Sequence, residues 1–165
     1  MNREKAANRM SNANRPTAAA SLHIEAVVEN LPAGLEAMRA EALSEDHGFI
    51  ERLAADWASG AARFDRGGEA LLAATMNGAL AGIGGITLDP FLPGCLRMRR
   101  FYVRPLHRRL GVARALAIRL LDQSAASGRP ITVNASRQSF AFWESLGFLP
   151  DARDGHTHFL ERHGT

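Results

Sequence analysis

The sequence predicts an α/β (α+β) domain with a mixed, mostly antiparallel central sheet of six to seven strands, flanked by about four helices. Apolar residues alternate in some segments and recur at helical spacing in others, in the order strand, helix, helix, three strands, helix, strand, helix, strand, strand. Asn77-Gly78 divides two apolar runs, and Asn-Gly is the strongest short hairpin signal because both positions tolerate positive φ. With 165 residues, of which 46% are hydrophobic and 22% charged, the chain has the size and composition of one soluble folded domain.

Residues 1–20 are rich in Ala, Asn and Ser and contain Pro16, so they are expected to be a flexible tail ahead of a domain spanning 21–165. From Ser21 to Val28 the pattern SLHIEAVV alternates as a strand does. Leu31, Leu35 and Met38 mark a helix. Phe49, Ile50, Leu53 and Trp57 mark a second, ending near Gly60, with the turn and cap residues of Ser44–Gly48 between them. Leu71–Met76 and Ala79–Leu88 are the hairpin strands. Gly82, Gly84 and Gly85 leave the second of these with little bulk, so a ligand or another backbone can come close. Pro90–Gly94 is a loop, and Leu96–Val103 is a third strand that Pro105 stops. Val112, Leu116 and Leu120 place a helix that ends at Gly128 as its C′ residue. Ile131 and Val133 belong to a short strand, and Phe140–Leu146 to a short helix closed by Gly147. Phe148-Leu149 and Thr157–Leu160 supply a closing hairpin.

No stretch approaches the roughly 20 apolar residues that span a bilayer, and the opening MNREKAANRM has no apolar core for a secretory signal. The lone cysteine, Cys95, rules out an internal disulfide and suits a reducing, cytoplasmic setting. Cys95 itself reads as an ordinary half-buried thiol rather than a nucleophile. Net charge is only +3 but uneven: Arg97, Arg99, Arg100, Arg104, Arg108, Arg109, Arg114 and Arg119 crowd one stretch without an acid. A nucleic-acid patch and a pocket for a polyphosphate ligand both fit that pattern.

The motif inside the stretch separates the two. A strand ending FYV leads through Arg104-Pro105-Leu106-His107 into RRLGVAR and a helix. Small residues at Gly111 and Ala113 let the backbone pass close to a ligand. Free N–H groups and the dipole at a helix start favour an anion. Consecutive N–H groups there can cradle a diphosphate, with charge added by Arg108, Arg109 or Arg114.

FYVRPLHRRLGVARAL resembles the signature segment of the GCN5-related N-acetyltransferase superfamily: strand, β-bulge, Arg/Gln-x-x-Gly-x-Gly/Ala, then a long helix. The consensus falls on Arg108, Gly111 and Ala113. A second family element is similar to ITVNAS followed by SFAFWESLGF, a strand and then a short helix with two adjacent aromatics before Leu-Gly-Phe. The resemblance implies acetyl-CoA as co-substrate, no metal, and direct attack by an amine, from a small molecule or a peptide, on the thioester. It also implies that backbone groups of Phe101, Tyr102 and Val103 pair with the pantetheine arm. The N–H groups of Arg109, Leu110, Gly111, Val112, Ala113 and Arg114 would hold the diphosphate. Ser139, Phe142 and Trp143 would line the far side of the cofactor, between splayed strands. An N–H near Val103 would stabilise the developing oxyanion. Dimers are common in the family, which makes a homodimer one expectation.

The chain departs from the family pattern at three points. Trp143 stands where many members have a proton-donating tyrosine, and an indole N–H has no useful acidity. The strand CLRMRRFYV holds no carboxylate where a glutamate is frequent, and Ser136 replaces a common asparagine. The catalytic acid and base are therefore unassigned, with Tyr102, Glu144 and Asp89 as weak candidates that read better as surface or packing residues. His156 and His158 read as exposed imidazoles on an edge strand rather than metal ligands. Trp57 and Trp143 read as buried anchors. An acetyl-CoA-dependent N-acyltransferase is the expected function, with a catalytically impaired acyl-CoA-binding module of the same fold as the alternative. A nucleic-acid binder lacks an aromatic-interleaved groove or helix-turn-helix spacing, and no nucleic acid or membrane is expected as partner.

Overall fold

In the computed structural model, which describes residues 21–153 and 155–163, the chain runs β1 (Leu22–Ala26), α1 (Leu35–Ser44), α2 (Phe49–Ser59), β2 (Ala70–Met76), β3 (Ala79–Leu88), β4 (Leu96–Val103), α3 (Val112–Ser124), β5 (Ile131–Val133), α4 (Phe140–Ser145), β6 (Leu149–Arg153) and β7 (His156–Leu160). The tail expected at 1–20 lies outside the described residues. The seven strands form one sheet in the order β1-β2-β3-β4-β5-β7-β6. Every pairing is antiparallel except β4 with β5.

Local chemistry explains the boundaries. Asn77 and Gly78 both take positive φ, 52° and 83°, as the hairpin between β2 and β3 requires. Gly60 ends α2 in the left-handed conformation at φ 79°. After α3 one 3₁₀ turn, Ala125–Ser127, precedes Gly128, which is left-handed at φ 62°. Thus the helix stops at Ser124, while the chain reversal comes at the glycine.

Alternation along the strands makes two cores. On one face α3 and α4 cover Leu72, Ala74, Met76, Ala81, Ile86, Leu96, Met98 and Val133. On the other, α1 and α2 bury Met38, Ile50, Leu53 and Trp57 against Leu71, Ala73, Leu80, Ile83 and Tyr102. The glycines of β3 serve this packing. A Cβ at Gly85 would stand 2.5 Å from the Phe64 ring, one at Gly84 2.8 Å from the Phe101 ring, and one at Gly82 2.9 Å from Val112 Cγ1. What the missing side chains admit is the protein's own Phe64, Phe101 and α3 start.

One expectation is corrected. His156 and His158 are buried, at 4% and 1% exposure, because β7 lies between β5 and β6 instead of at an edge. His158 lies 3.1 Å from Glu144 Oε1 through Nε2 and 2.9 Å from Thr157 Oγ1 through Nδ1, edge-on to Phe140. His156 Nε2 meets Asp151 at 3.1 Å. Sequence spacing cannot show this, since the partners lie on α4 and β6. No helix among the described residues is long and apolar enough to cross a membrane, and none of their His, Cys, Asp and Glu side chains gather in threes as a metal would need.

Candidate functional site

A break in β4 opens the site. β3 and β4 pair as Ile83 with Tyr102 and Gly85 with Arg99, so Gly84 faces two residues, Arg100 and Phe101. This is a β-bulge, and Arg100 takes φ 61° there, a left-handed conformation uncommon for a residue with a side chain. On the other side of β4 the pairing with β5 stops at Met98 and Val133. Beyond that point the two strands separate around a cavity of about 690 Å³. Phe101, Tyr102, Val103, Ala113, Ser139, Phe142 and Trp143 line it, together with His47, Phe49, Arg52, Arg99, Arg100, Asn134, Ala135, Ser136 and Gln138.

At one end of this cavity the chain enters α3. Pro105–His107 makes a 3₁₀ turn, Arg109 takes φ 62° and Gly111 φ 80°, and no side chain among the described residues caps the helix. Among the described residues, the main-chain N–H groups of Arg109 through Arg114 meet no protein acceptor; the first bond of the helix is Ala115 N–H to Gly111 O. A row of free donors at the positive end of a thirteen-residue helix can receive an anion. Arg109 is exposed, and Arg114 leans to α4, donating to Ser145 Oγ at 3.1 Å. The Arg108 guanidinium is directed elsewhere. It makes a bidentate pair with Glu45, at 2.6 and 2.7 Å, and its Nε donates to Val103 O at 3.0 Å. The Val103 carbonyl is thereby already bonded.

Of the three weak catalytic candidates, only Tyr102 borders the cavity. Its hydroxyl donates to Glu45 Oε1 at 2.5 Å, and burial and then Glu45 push its acidity far below that of an ordinary phenol. That proton is committed to Glu45. The Arg108 bond, then the Tyr102 bond, holds the Glu45 carboxyl at about 2, below its ordinary 4.5. A carboxyl lowered on folding stabilises above its unfolded pKa and loses that contribution as pH falls through the folded one. Wild type is accordingly expected to exceed Glu45→Gln in urea midpoint above about pH 4.5, with the gap closing between 4.5 and about 2. A gap constant across that window would remove Glu45 as the ionised partner.

Asp89 instead holds the β3–β4 loop. Its Oδ1 accepts from the Phe91 and Leu92 N–H groups at 2.8 and 3.1 Å, and its Oδ2 accepts from Thr132 Oγ1 at 2.6 Å. Burial raises its pKa, and the Thr132 and backbone bonds more than offset that. Glu144, next to Trp143 in sequence, is turned to His158. Neither borders the cavity. Trp143 is buried, edge-on to Phe101, Phe142 and Phe148 at 5.0, 4.9 and 5.4 Å. Ser139 Oγ donates to Ser136 O at 2.9 Å.

The arginine stretch does not form one basic face. Arg97, Arg100, Arg104 and Arg108 each meet a carboxylate, from Asp89, Asp56, Glu41 and Glu45. His47, Phe49 and Arg52 are lining residues that motif reading misses, because the α1–α2 turn reaches the cavity only through the fold. Phe49 and His47 approach Tyr102 at ring distances of 6.1 and 6.3 Å.

This architecture places an uncapped helix start, suited to an anion, at one end of the cavity. Residues 35–160 match the family described as acetyltransferase (GNAT) domain, and the chain belongs to that family. Membership implies acyl transfer from acetyl-CoA. The structure is similar to that of a candidate acetyltransferase from Exiguobacterium sp. 255-15, at 22% identity and TM-score 0.78, covering 86% of this chain and 93% of that one. It is also similar to a candidate GNAT-family acetyltransferase from Desulfovibrio desulfuricans, at 21% identity and TM-score 0.64, covering 86% and 99%. An acetyltransferase from Streptococcus agalactiae 2603 matches at 17% identity and TM-score 0.64, covering 86% and 98%. At these identities the likeness shows the fold alone. No curated protein sequence matches the chain.

Proposed function

We propose that the protein transfers the acetyl group of acetyl-CoA directly to an amine on a small molecule or peptide. The observation that carries this reading is the row of N–H groups from Arg109 to Arg114, without a protein acceptor among the described residues, at the end of the cavity that Arg108 and Ala113 line. Acetyl-CoA supplies the activated thioester, and the chain's residues position it. The N–H row and Arg109 suit its diphosphate. The edge of β4 left without a β5 partner from Arg99 onward suits an extended amide chain. Positioning of two reactants can supply much of the rate in a direct transfer.

Purified protein is expected to melt higher with acetyl-CoA. At a hundredfold excess over Kd the linkage is about 2.7 kcal/mol, or roughly 5–10 °C for a domain of this size. An amine panel followed by release of free thiol then tests transfer. No shift at millimolar acetyl-CoA, beside a shift with another phosphate ligand, sinks the cofactor assignment. The second reading, a module that binds acyl-CoA without turnover, is favoured by Trp143 in place of a phenol and by the Tyr102 proton held at Glu45. Binding without thiol release on any amine supports it.

A further inference from the structure

The wall of the cavity formed by α2 and the bulge of β4 is cationic. Arg52, Arg97, Arg99, Arg100 and His47 line the cavity, and among the described residues no carboxylate does. The bulge creates this arrangement. In an unbroken strand Arg99 and Arg100 would point to opposite faces. The extra residue instead leaves Met98 and Phe101 with the α3 core, and Arg100 turns to α2, where it meets Asp56 at 3.4 Å. By alternation from Met98, Arg99 faces α2 as well. Burial, and then the neighbouring Arg99 guanidinium with a smaller contribution from Arg52, disfavours the charged form of Arg100.

The compensation is incomplete. Arg97 touches Asp89 only at 3.9 Å, and its buried Nη1 has no hydrogen-bond partner among the described residues. Arg99 and Arg52 meet no carboxylate there. Crowding cations in a half-buried wall is unfavourable unless an anion completes it. Arg100 keeps a side chain in a left-handed conformation that glycine would adopt without strain. α3 packs on one face of the sheet and α2 on the other, so Ala113 and Arg52 reach the cavity from opposite faces.

We propose that the amine acceptor carries an anionic group, a carboxylate or a phosphate, which Arg99 and Arg52 receive at the α2 wall of the cavity. This rests on the acyl-transfer reading, since it names the acceptor class of that site. Two charge-assisted N–H bonds from a guanidinium hold such a group, and the aromatic corner of His47, Phe49 and Tyr102 borders it.

The test uses inorganic phosphate, titrated calorimetrically into the full chain saturated with coenzyme A, so that the helix turn is filled. Phosphate is expected to bind, and Arg99→Ala or Arg52→Ala to weaken it about tenfold or more. Affinity for acetyl-CoA should stay within about twofold. Arg52 lies on an exposed helical position, so its replacement by alanine leaves folding intact and keeps the test readable if Arg99→Ala is unstable. In turnover, phosphoethanolamine should exceed ethanolamine, or glycine exceed glycinamide, at least about tenfold in kcat/KM. Which pair discriminates tells phosphate from carboxylate, and Arg99→Ala should erase the preference. Absence of phosphate binding, equal use of charged and neutral amines, or loss of acetyl-CoA affinity in the arginine variants overturns the proposal; the last would place these residues at the cofactor. If wild type fails to bind coenzyme A, the acyl-transfer reading falls separately. Phosphate binding to the free protein, abolished by Arg99→Ala and untouched by Gly111→Val, would still support the anion site, and the reverse pattern would refute it.

Discussion

Gly111→Val is expected to lower affinity for acetyl-CoA more than about a hundredfold while the domain still folds. Gly111 sits at φ 80° immediately before α3, and a Cβ built on it meets no atom of the described residues within 4 Å. The folding cost is therefore conformational, about 1–2 kcal/mol for a side chain forced into the left-handed region. It is somewhat larger for a β-branched one. A valine that relaxes toward negative φ re-aims the N–H groups on both sides of it. A valine that stays puts its methyls into the open space before the helix, where the diphosphate is proposed to lie. Either way two or more charge-assisted hydrogen bonds are lost, each worth about 1.5–3 kcal/mol. A total of at least about 3 kcal/mol corresponds to more than about a hundredfold in Kd. Calorimetric titration gives the affinity, and circular dichroism with a melting curve confirms folding. A folded variant with wild-type affinity would falsify the placement of the diphosphate.

The elements that were legible in the sequence are those fixed by nearby residues. Asn77-Gly78 dictates its hairpin, Gly60 and Gly128 stop their helical segments, and the run Leu96–Val103 before Pro105 gives β4 its observed bounds. The turn into α3 was legible for the same reason: the spacing of Gly111 and Ala113 ahead of an apolar helix is a local signal. What escaped depends on long-range partners. Arg108 looks like a phosphate ligand until α1 brings Glu45 to it, and Arg104 meets Glu41 from the same helix. The buried imidazoles of His156 and His158 follow from β6 adding outside β7, an order that short strands do not announce. The family resemblance implied a bulge in this segment, but no glycine marks Arg100 as its place, so the turning of two successive arginines toward α2 could not be read from alternation. Thus the turn into α3 was readable, whereas the wall built by α2 and the α1–α2 turn was not.

Trp143→Ala is expected to destabilise the domain by about 3–5 kcal/mol, the usual cost of removing a large buried aromatic, while Trp143→Tyr folds and keeps acetyl-CoA affinity within about threefold. Trp143 is only 4% exposed, with Phe101, Phe142 and Phe148 packed edge-on around it. These contacts join α4 to β4 at the point where β4 leaves β5, so alanine opens a void under the cavity floor. Such a void loses dispersion contacts as well as burial. Tyrosine keeps an aromatic ring in the site but is smaller than tryptophan, so it costs less than alanine. It also puts a phenol beside the cavity, where the wild-type chain has only an indole and where Tyr102 has its proton engaged by Glu45. Thiol release by Trp143→Tyr should then rise over wild type if protonation of the leaving thiolate limits turnover. The same variant separates the two functional readings: an impaired module gains turnover it lacked, whereas a competent enzyme changes by a modest factor. Urea midpoints measure the stability effects and calorimetry the affinity. A well-folded Trp143→Tyr protein that loses more than about tenfold in acetyl-CoA binding would mean that the indole itself contacts the cofactor, and the packing role assigned to Trp143 would have to be abandoned.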